Sequence, residues 1–148
     1  MQPDMANLHG NVHGGVIMKL VDEAGALACM RHSQQRVVTV AIDQMTFRRP
    51  IRIGDLVTFT AEVSYTGKTS MEAEVNVYAQ DVRSGTTCHT NTAYLVYVAL
   101  DDKDSPCPVP TLIPETEAQQ LRMQQAEERQ AYRLKQREQL GSTESVSE

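Results

Sequence analysis

Two adjacent carboxylates, Asp22 and Glu23, sit in the middle of a largely apolar stretch, GNVHGGVIMKLVDEAGALACMRH, residues 10–32. The pair Gly14-Gly15 stands just before the apolar part. A glycine pair at a helix start leaves backbone N–H groups unpaired and unobstructed. The positive pole of the helix adds to their pull on an oxygen. Such a turn is either a hole for a carbonyl becoming an oxyanion or a plain N-terminal turn, and local sequence leaves both open. Asp22 is likewise either a base acting on a carbonyl held at Gly15 or a surface carboxylate paired with Lys19 or water. Spacing limits the first option. Asp22 follows Gly15 by seven residues, roughly 10 Å along a helix axis. One carbonyl cannot touch both places on one helix. The two groups must then come from different copies of the chain, as two helices set antiparallel about a two-fold axis would arrange.

Other chemistries fit less well. Gly10, Gly14 and Gly15 match neither the dinucleotide fingerprint nor the phosphate loop. His9 and His13 are four apart, but the glycine between them disfavours the helix that would align them. Cys88 and His89 are neighbours on a predicted strand and point to opposite faces. No metal site is expected. Ser33 and Ser70 lack the context of a nucleophile elbow.

A helix and a sheet must position these groups. Residues 1–15 read as loop, and VIMKLVDEAGALACMRHS is long enough for a helix of about five turns. Val16, Ile17, Met18, Leu20, Val21 and Leu27 cover most of its circumference, which predicts a helix enclosed by other structure. Gly25 weakens the helix, so a close approach by another element is expected there. RVVTVAID is rich in β-branched residues, and FRRPIRIGD breaks and turns at Pro50 and Gly54. LVTFTAEVSY alternates, with Val57, Phe59, Ala61, Val63 and Tyr65 on one side. MEAEVNVYAQ alternates too, and TCHTNTAYLVYVAL is a long last strand. Short turns between them predict an antiparallel meander with one wet face. The expected class is α+β, an antiparallel sheet wrapped around a long central helix.

The rest of the chain divides into a proline-rich connector, DDKDSPCPVPTLIP, and a polar helical segment with a thin apolar stripe that includes Leu121, Tyr132 and Leu134. The expected organisation is a first domain over 1–105, connector and C-terminal helix over 106–140, and a disordered tail over 141–148. Among 148 residues, 41% are hydrophobic and 22% charged, with a net charge of -5. These values fit one globular domain and argue against nucleic acid as the main partner. No apolar run approaches the ~20 residues of a membrane span, and no signal peptide is expected. Cys29, Cys88 and Cys107 form an odd, sparse set, expected to stay reduced in a cytoplasm, with Cys29 a small buried hydrophobe.

Three segments in order, NLHGNVHGGVIMKLVDEAGALACMRH, VVTVAIDQMTFRRPIRIGD and GKTSMEAEVNVYA, resemble the hotdog-fold acyl-CoA thioesterases. The likeness is greatest to the cytosolic long-chain and brain acyl-CoA hydrolases and their single-domain bacterial relatives, and it covers residues 7–100. It implies a helix as the sausage, a sheet as the bun, and a homohexamer built as a trimer of hotdog dimers. It also implies residue roles. Asn11 matches the active-site asparagine and Asp22 the carboxylate that activates water; His13, Gly14 and Gly15 match the thioester-binding loop. Thr69 and Ser70 match a strand segment along the coenzyme A arm. In two-domain relatives the asparagine and the aspartate come from different hotdog domains; a homodimer of this chain would assemble two complete sites. An anionic coenzyme needs cations, for which Arg31, Arg48, Arg49, Arg52 and Lys68 are candidates. The implied activity is hydrolysis of fatty acyl-CoA in cytoplasmic lipid metabolism, with acyl-CoA as the partner and no cofactor, metal, nucleic acid or membrane.

Two rival functions use the same scaffold. A hydroxyacyl-CoA dehydratase would pair His13 with Asp22 to move protons at carbon. A non-catalytic acyl-CoA-binding regulator would add a DNA-binding helix pair, and no basic segment offers one.

Overall fold

The computed structural model describes residues 1–144. A short 3-10 turn at Pro3–Met5 precedes helix α1 (Gly14–Ser33), strands β1 (Arg36–Phe47), β2 (Leu56–Thr66), β3 (Ser70–Gln80) and β4 (Thr87–Leu100), and helix α2 (Glu117–Glu144). The strands form one sheet in the order β1-β4-β3-β2 with every neighbouring pair antiparallel. The expected meander is β2–β3–β4. Strand β1 adds to the free side of β4, so residues 48–55 carry the chain from one sheet edge to the other.

Helix α1 packs across one face of the sheet. Met71, Ala73, Val75 and Val77 of β3 and Ala93, Leu95, Tyr97 and Ala99 of β4 are wholly buried there, together with Ile17, Val21 and Cys29. Their period of two in the strands and four in the helix is the pattern that sorts a buried face from the rest. The helix is not enclosed as its composition suggested. Its buried residues form one line, Ile17, Val21, Gly25, Cys29 and Ser33. Met18 and Leu27 are 41% and 58% exposed. A single four-stranded layer covers only the side of a helix that rests on it, so the remaining apolar surface stays open in one copy of the chain.

Two details of the strands also differ from simple alternation. A bulge between Val63 and Tyr65 pairs Tyr65 with Glu72, which moves Tyr65 off the face it was expected to share with Val63. Nor is the other sheet face uniformly wet: Glu72 is fully buried, and Ser64 donates to its Oε1 at 2.8 Å.

The first compact unit runs over Met1–Thr111 and takes in the start of the expected connector. Cys107 N–H donates to Ala99 O at 2.9 Å and Val109 N–H to Lys68 O at 3.1 Å, which ties that segment to the sheet. The second unit, Leu112–Glu148, contains α2, on which Leu121, Tyr132 and Leu134 are exposed. Of the tail expected to be disordered, residues 141–144 belong to α2 and 145–148 lie outside the described residues.

Candidate active site

The start of α1 is capped by His13, which stands in extended backbone just outside the first turn. Its Nδ1 accepts the Gly15 N–H at 3.0 Å. Accepting there places the hydrogen of a neutral ring on Nε2. This alters the expected donor pair. The Gly15 N–H, expected to be open, is taken by the imidazole as a capped helix end requires. The Gly14 N–H has no partner among the described residues.

Beside Gly14 lies a cleft of about 320 Å³ lined by Asn7, Asn11, Gly14, Ile17, Phe47, Arg48 and Arg49, among others. Phe47 forms a wall so near that a Cβ on Gly14 would sit 3.6 Å from its Cζ. Asn7 is fixed by its loop. Its Oδ1 accepts the N–H groups of His9 at 2.9 Å and Asn11 at 3.2 Å. Its side-chain NH2 has no partner among the described residues and is the end left to a ligand. The backbone of Asn11 bridges to Arg52, and its side chain forms no hydrogen bond among the described residues. Two amide residues, a glycine N–H and the positive pole of a helix therefore meet at one cleft, with Arg48 and Arg49 among its lining residues. Such a place suits the oxygen of a polarised carbonyl attached to an anionic carrier.

Asp22 does not line this cleft. It stands two turns along α1, half-buried, and does not pair with Lys19, which instead faces Glu23 at 3.8 Å in an exposed ion pair. Thr39 of β1 donates its hydroxyl to Asp22 Oδ1 at 2.7 Å. Tyr97 of β4 donates to the main-chain oxygen of Asp22 at 2.9 Å and to its Oδ1 at 3.2 Å. Burial and then the charge of Asp22 push the Tyr97 phenol far above its ordinary value, so it remains a donor. Burial alone pushes the Cys29 thiol up to about 12, which keeps it an inert hydrophobe.

The other expected binding residues are placed elsewhere. Arg31 is exposed on the last turn of α1. Lys68, Thr69 and Ser70 form the turn into β3, where Thr69 O accepts the Ala99 N–H at 3.0 Å and Ser70 O accepts the Gly67 N–H at 2.8 Å. None of the four lines the cleft of this copy. Among the described residues there is no His, Cys, Asp or Glu cluster able to hold a metal ion. No described helix is long and apolar enough to cross a membrane.

Asn7, Thr39, Phe47 and Tyr97 are residues the sequence reading did not single out. A signal existed for two of them. Thr39 and Tyr97 occupy inward positions of β1 and β4, between Val37 and Ala41 and between Leu95 and Ala99. A hydroxyl on an apolar face needs a buried partner.

The family model of the thioesterase superfamily matches residues 9–86 of the chain. The chain is similar to the cytosolic acyl coenzyme A thioester hydrolase of Rattus norvegicus, 38% identical over 129 residues. That match takes in 86% of this chain but 34% of the rat protein, so the chain spans about a third of that relative's length. Among solved structures it is similar to an acyl-CoA hydrolase of Staphylococcus aureus in complex with butyryl coenzyme A, coenzyme A and coenzyme A disulfide. The TM-score is 0.89 at 33% identity, covering 100% of this chain and 91% of the other. The Staphylococcus enzyme has also been solved as asparagine-, aspartate- and threonine-to-alanine mutants, the asparagine 15 positions before the aspartate and the threonine 17 after it. A hexameric hotdog fold thioesterase of Campylobacter jejuni gives a TM-score of 0.70 at 34% identity, over 74% of this chain and 84% of the other.

Proposed function

The chain belongs to the thioesterase superfamily, and from that membership we propose that it hydrolyses fatty acyl-CoA thioesters to the free acid and coenzyme A. Its fold is the hotdog fold. The observation that carries the proposal is the hydrogen bond from Thr39 to Asp22. These residues are 17 apart, with Asn7 a further 15 before Asp22, so this chain has the residue types altered in the Staphylococcus hydrolase at the same spacings. Asn7 therefore takes the role that the resemblance assigned to Asn11, and Asn11 stands beside it in the same cleft.

In this reading the thioester carbonyl lies against the Gly14 N–H and the Asn7 amide, and Asp22 takes a proton from the attacking water. The tetrahedral oxyanion is stabilised by those donors and the helix pole. Collapse of the intermediate breaks the C–S bond and releases coenzyme A as a thiolate, a leaving group that needs little acid assistance. No cofactor beyond the coenzyme A of the substrate enters the reaction. His13 serves the first turn of α1 through Nδ1, a poor arrangement for the proton-moving histidine of a dehydratase.

Asp22 and the cleft of one chain are separated by roughly 10 Å of helix. We therefore assign Asp22 to a site completed by the loop of a second copy. Open apolar groups on α1 and on the edge strand β1, Leu27, Val38, Val40 and Ile42, support such a neighbour. The assembly we propose is a dimer of hotdogs repeated as a trimer of dimers. Arg48 and Arg49, with Arg31, Lys68, Thr69 and Ser70 of the same or adjoining copies, hold the coenzyme A arm. A cytoplasmic role in lipid metabolism accords with the cytosolic name of the rat relative. Thiol release across acetyl- to palmitoyl-CoA tests the activity. Hydrolysis lost in Asp22→Ala with coenzyme A binding retained supports it; hydration of an enoyl-CoA without thiol release overturns it.

A further inference from the structure

Tyr97 is wholly buried on the inward face of β4, yet its hydroxyl reaches Asp22 on α1. The route runs beneath Gly25. A Cβ at that position would collide with Tyr97 Oη and stand 3.1 Å from Cε2 and Cζ. The close approach expected at Gly25 is thus by a phenol rather than by backbone. Simple packing does not require this arrangement, because a phenylalanine fills the same space without a polar atom. The hydroxyl is spent on Asp22: its one hydrogen is shared between the main-chain oxygen at 2.9 Å and Oδ1 at 3.2 Å, and Oδ1 also accepts from Thr39 at 2.7 Å. Asp22 Oδ2 has no partner among the described residues.

We propose that Tyr97 is a positioning residue for hydrolysis: admitted by Gly25, its hydroxyl holds Asp22 Oδ1 and thereby makes Oδ2 the oxygen that takes the proton from water. This rests on the reading of Asp22 as the base. Two donors on one oxygen fix the rotation of the carboxylate and draw charge to that side. The less engaged oxygen is the more basic one and is held ready. The other charged or titratable groups around Asp22 are few. Lys19 and Glu23 on its own helix pair with each other at the surface, and Cys29 lies against Tyr97. From β1 it meets the neutral Thr39, and the helix-facing positions of β2 and β3 are apolar.

Tyr97→Phe keeps the ring and removes the donor. The expected result is a kcat about tenfold lower with a KM within about twofold of wild type. Gly25→Ala drives the phenol from Asp22 and should give the same kinetic signature, and the double variant should have the kcat of Tyr97→Phe alone. A purely structural role would lower the melting temperature and leave the kcat of the folded protein unchanged. A wild-type kcat in folded Tyr97→Phe overturns the inference, whatever the folding of Gly25→Ala. The parallel Asp22→Ala assay separates the failures: if that variant still hydrolyses acyl-CoA fully, the reading of Asp22 as base has failed; if it is inactive while Tyr97→Phe is normal, only the role of Tyr97 has.

Discussion

Thr39 Oγ1 lies 2.7 Å from Asp22 Oδ1, a bond from the first strand to a carboxylate in the middle of helix α1. It explains how a charge is tolerated on α1 without the ion pair to Lys19 that the sequence suggested. Removing the carboxylate should reduce turnover on the order of 10³-fold in Asp22→Ala, the range of a general base. Thr39→Ala should cost about tenfold to a hundredfold and Thr39→Ser much less, because serine retains the hydroxyl. Steady-state thiol release on folded protein, checked by circular dichroism, measures both. A Thr39→Val enzyme with wild-type kcat would contradict the assignment.

Asn7 and Asn11 line the same cleft, but only Asn7 has its amide oxygen tied down by the loop. Asn7→Ala should therefore lose roughly 10²-fold in kcat, as for loss of one oxyanion donor, and Asn11→Ala less. Mixing Asn7→Ala with Asp22→Ala tests the shared site. Each mixed dimer contains one site with both residues intact and one with neither, so co-assembled dimers should recover about half of wild-type activity. Activity that stays at the level of the single variants after verified subunit exchange would show that each chain works alone.

His13 caps α1 by accepting from Gly15, so its loss should act first on stability. His13→Ala should unfold about 1 kcal/mol more easily in urea, and His13→Asn, a good capping residue, should restore most of that. If His13→Ala keeps its stability but loses turnover, the ring acts in the chemistry rather than in the fold.

Cys29 gives a prediction for alkaline solution. Its thiol is raised by burial from 9.0 to about 12. Above pH 9.0 the unfolded chain releases that proton while the folded chain keeps it, so unfolding becomes easier as pH rises. Stability should be level with respect to this group at lower pH and fall by about 1.4 kcal/mol per pH unit toward 12. Tyr97, also raised, adds to the fall above its own ordinary value. Urea titrations between pH 8 and 10.5 measure the slope. Cys29→Ala should remove the first part of it, and a native protein whose Cys29 reacts with a thiol reagent at pH 8 would refute the burial argument.

Much of the fold was legible because its signals are local. The apolar run after Gly14-Gly15 located α1, and turn residues between alternating strands located the meander from β2 to β4. The seven-residue spacing of Gly15 and Asp22 sets the distance between two parts of the candidate site independently of the sheet. Within one copy α1 is left open on one side, because composition reports apolar surface but not what covers it. Leu27 and Val21 look alike in sequence, yet Leu27 is 58% exposed and Val21 is 1% exposed. The identity of the open N–H failed for a similar reason. Gly14 and Gly15 are equivalent as residues, and only the fold of the His13 ring over the first turn takes one and leaves the other.

The sequence by itself determined the spacing of Asp22 from the glycine pair along the helix and, up to the bulge before Tyr65, which strand positions face inward, since both follow from the fixed periods of 3.6 and two. Only the tertiary structure decided their partners. Thr39 lies 17 residues from Asp22 and Tyr97 lies 75. A period gives the face a side chain occupies; the register of β1 on β4, and the bare surface at Gly25 under which the phenol passes, fix what it meets there. Hydrogen bonds reach only about 3 Å, so chain separation says nothing about them until packing has closed the distance.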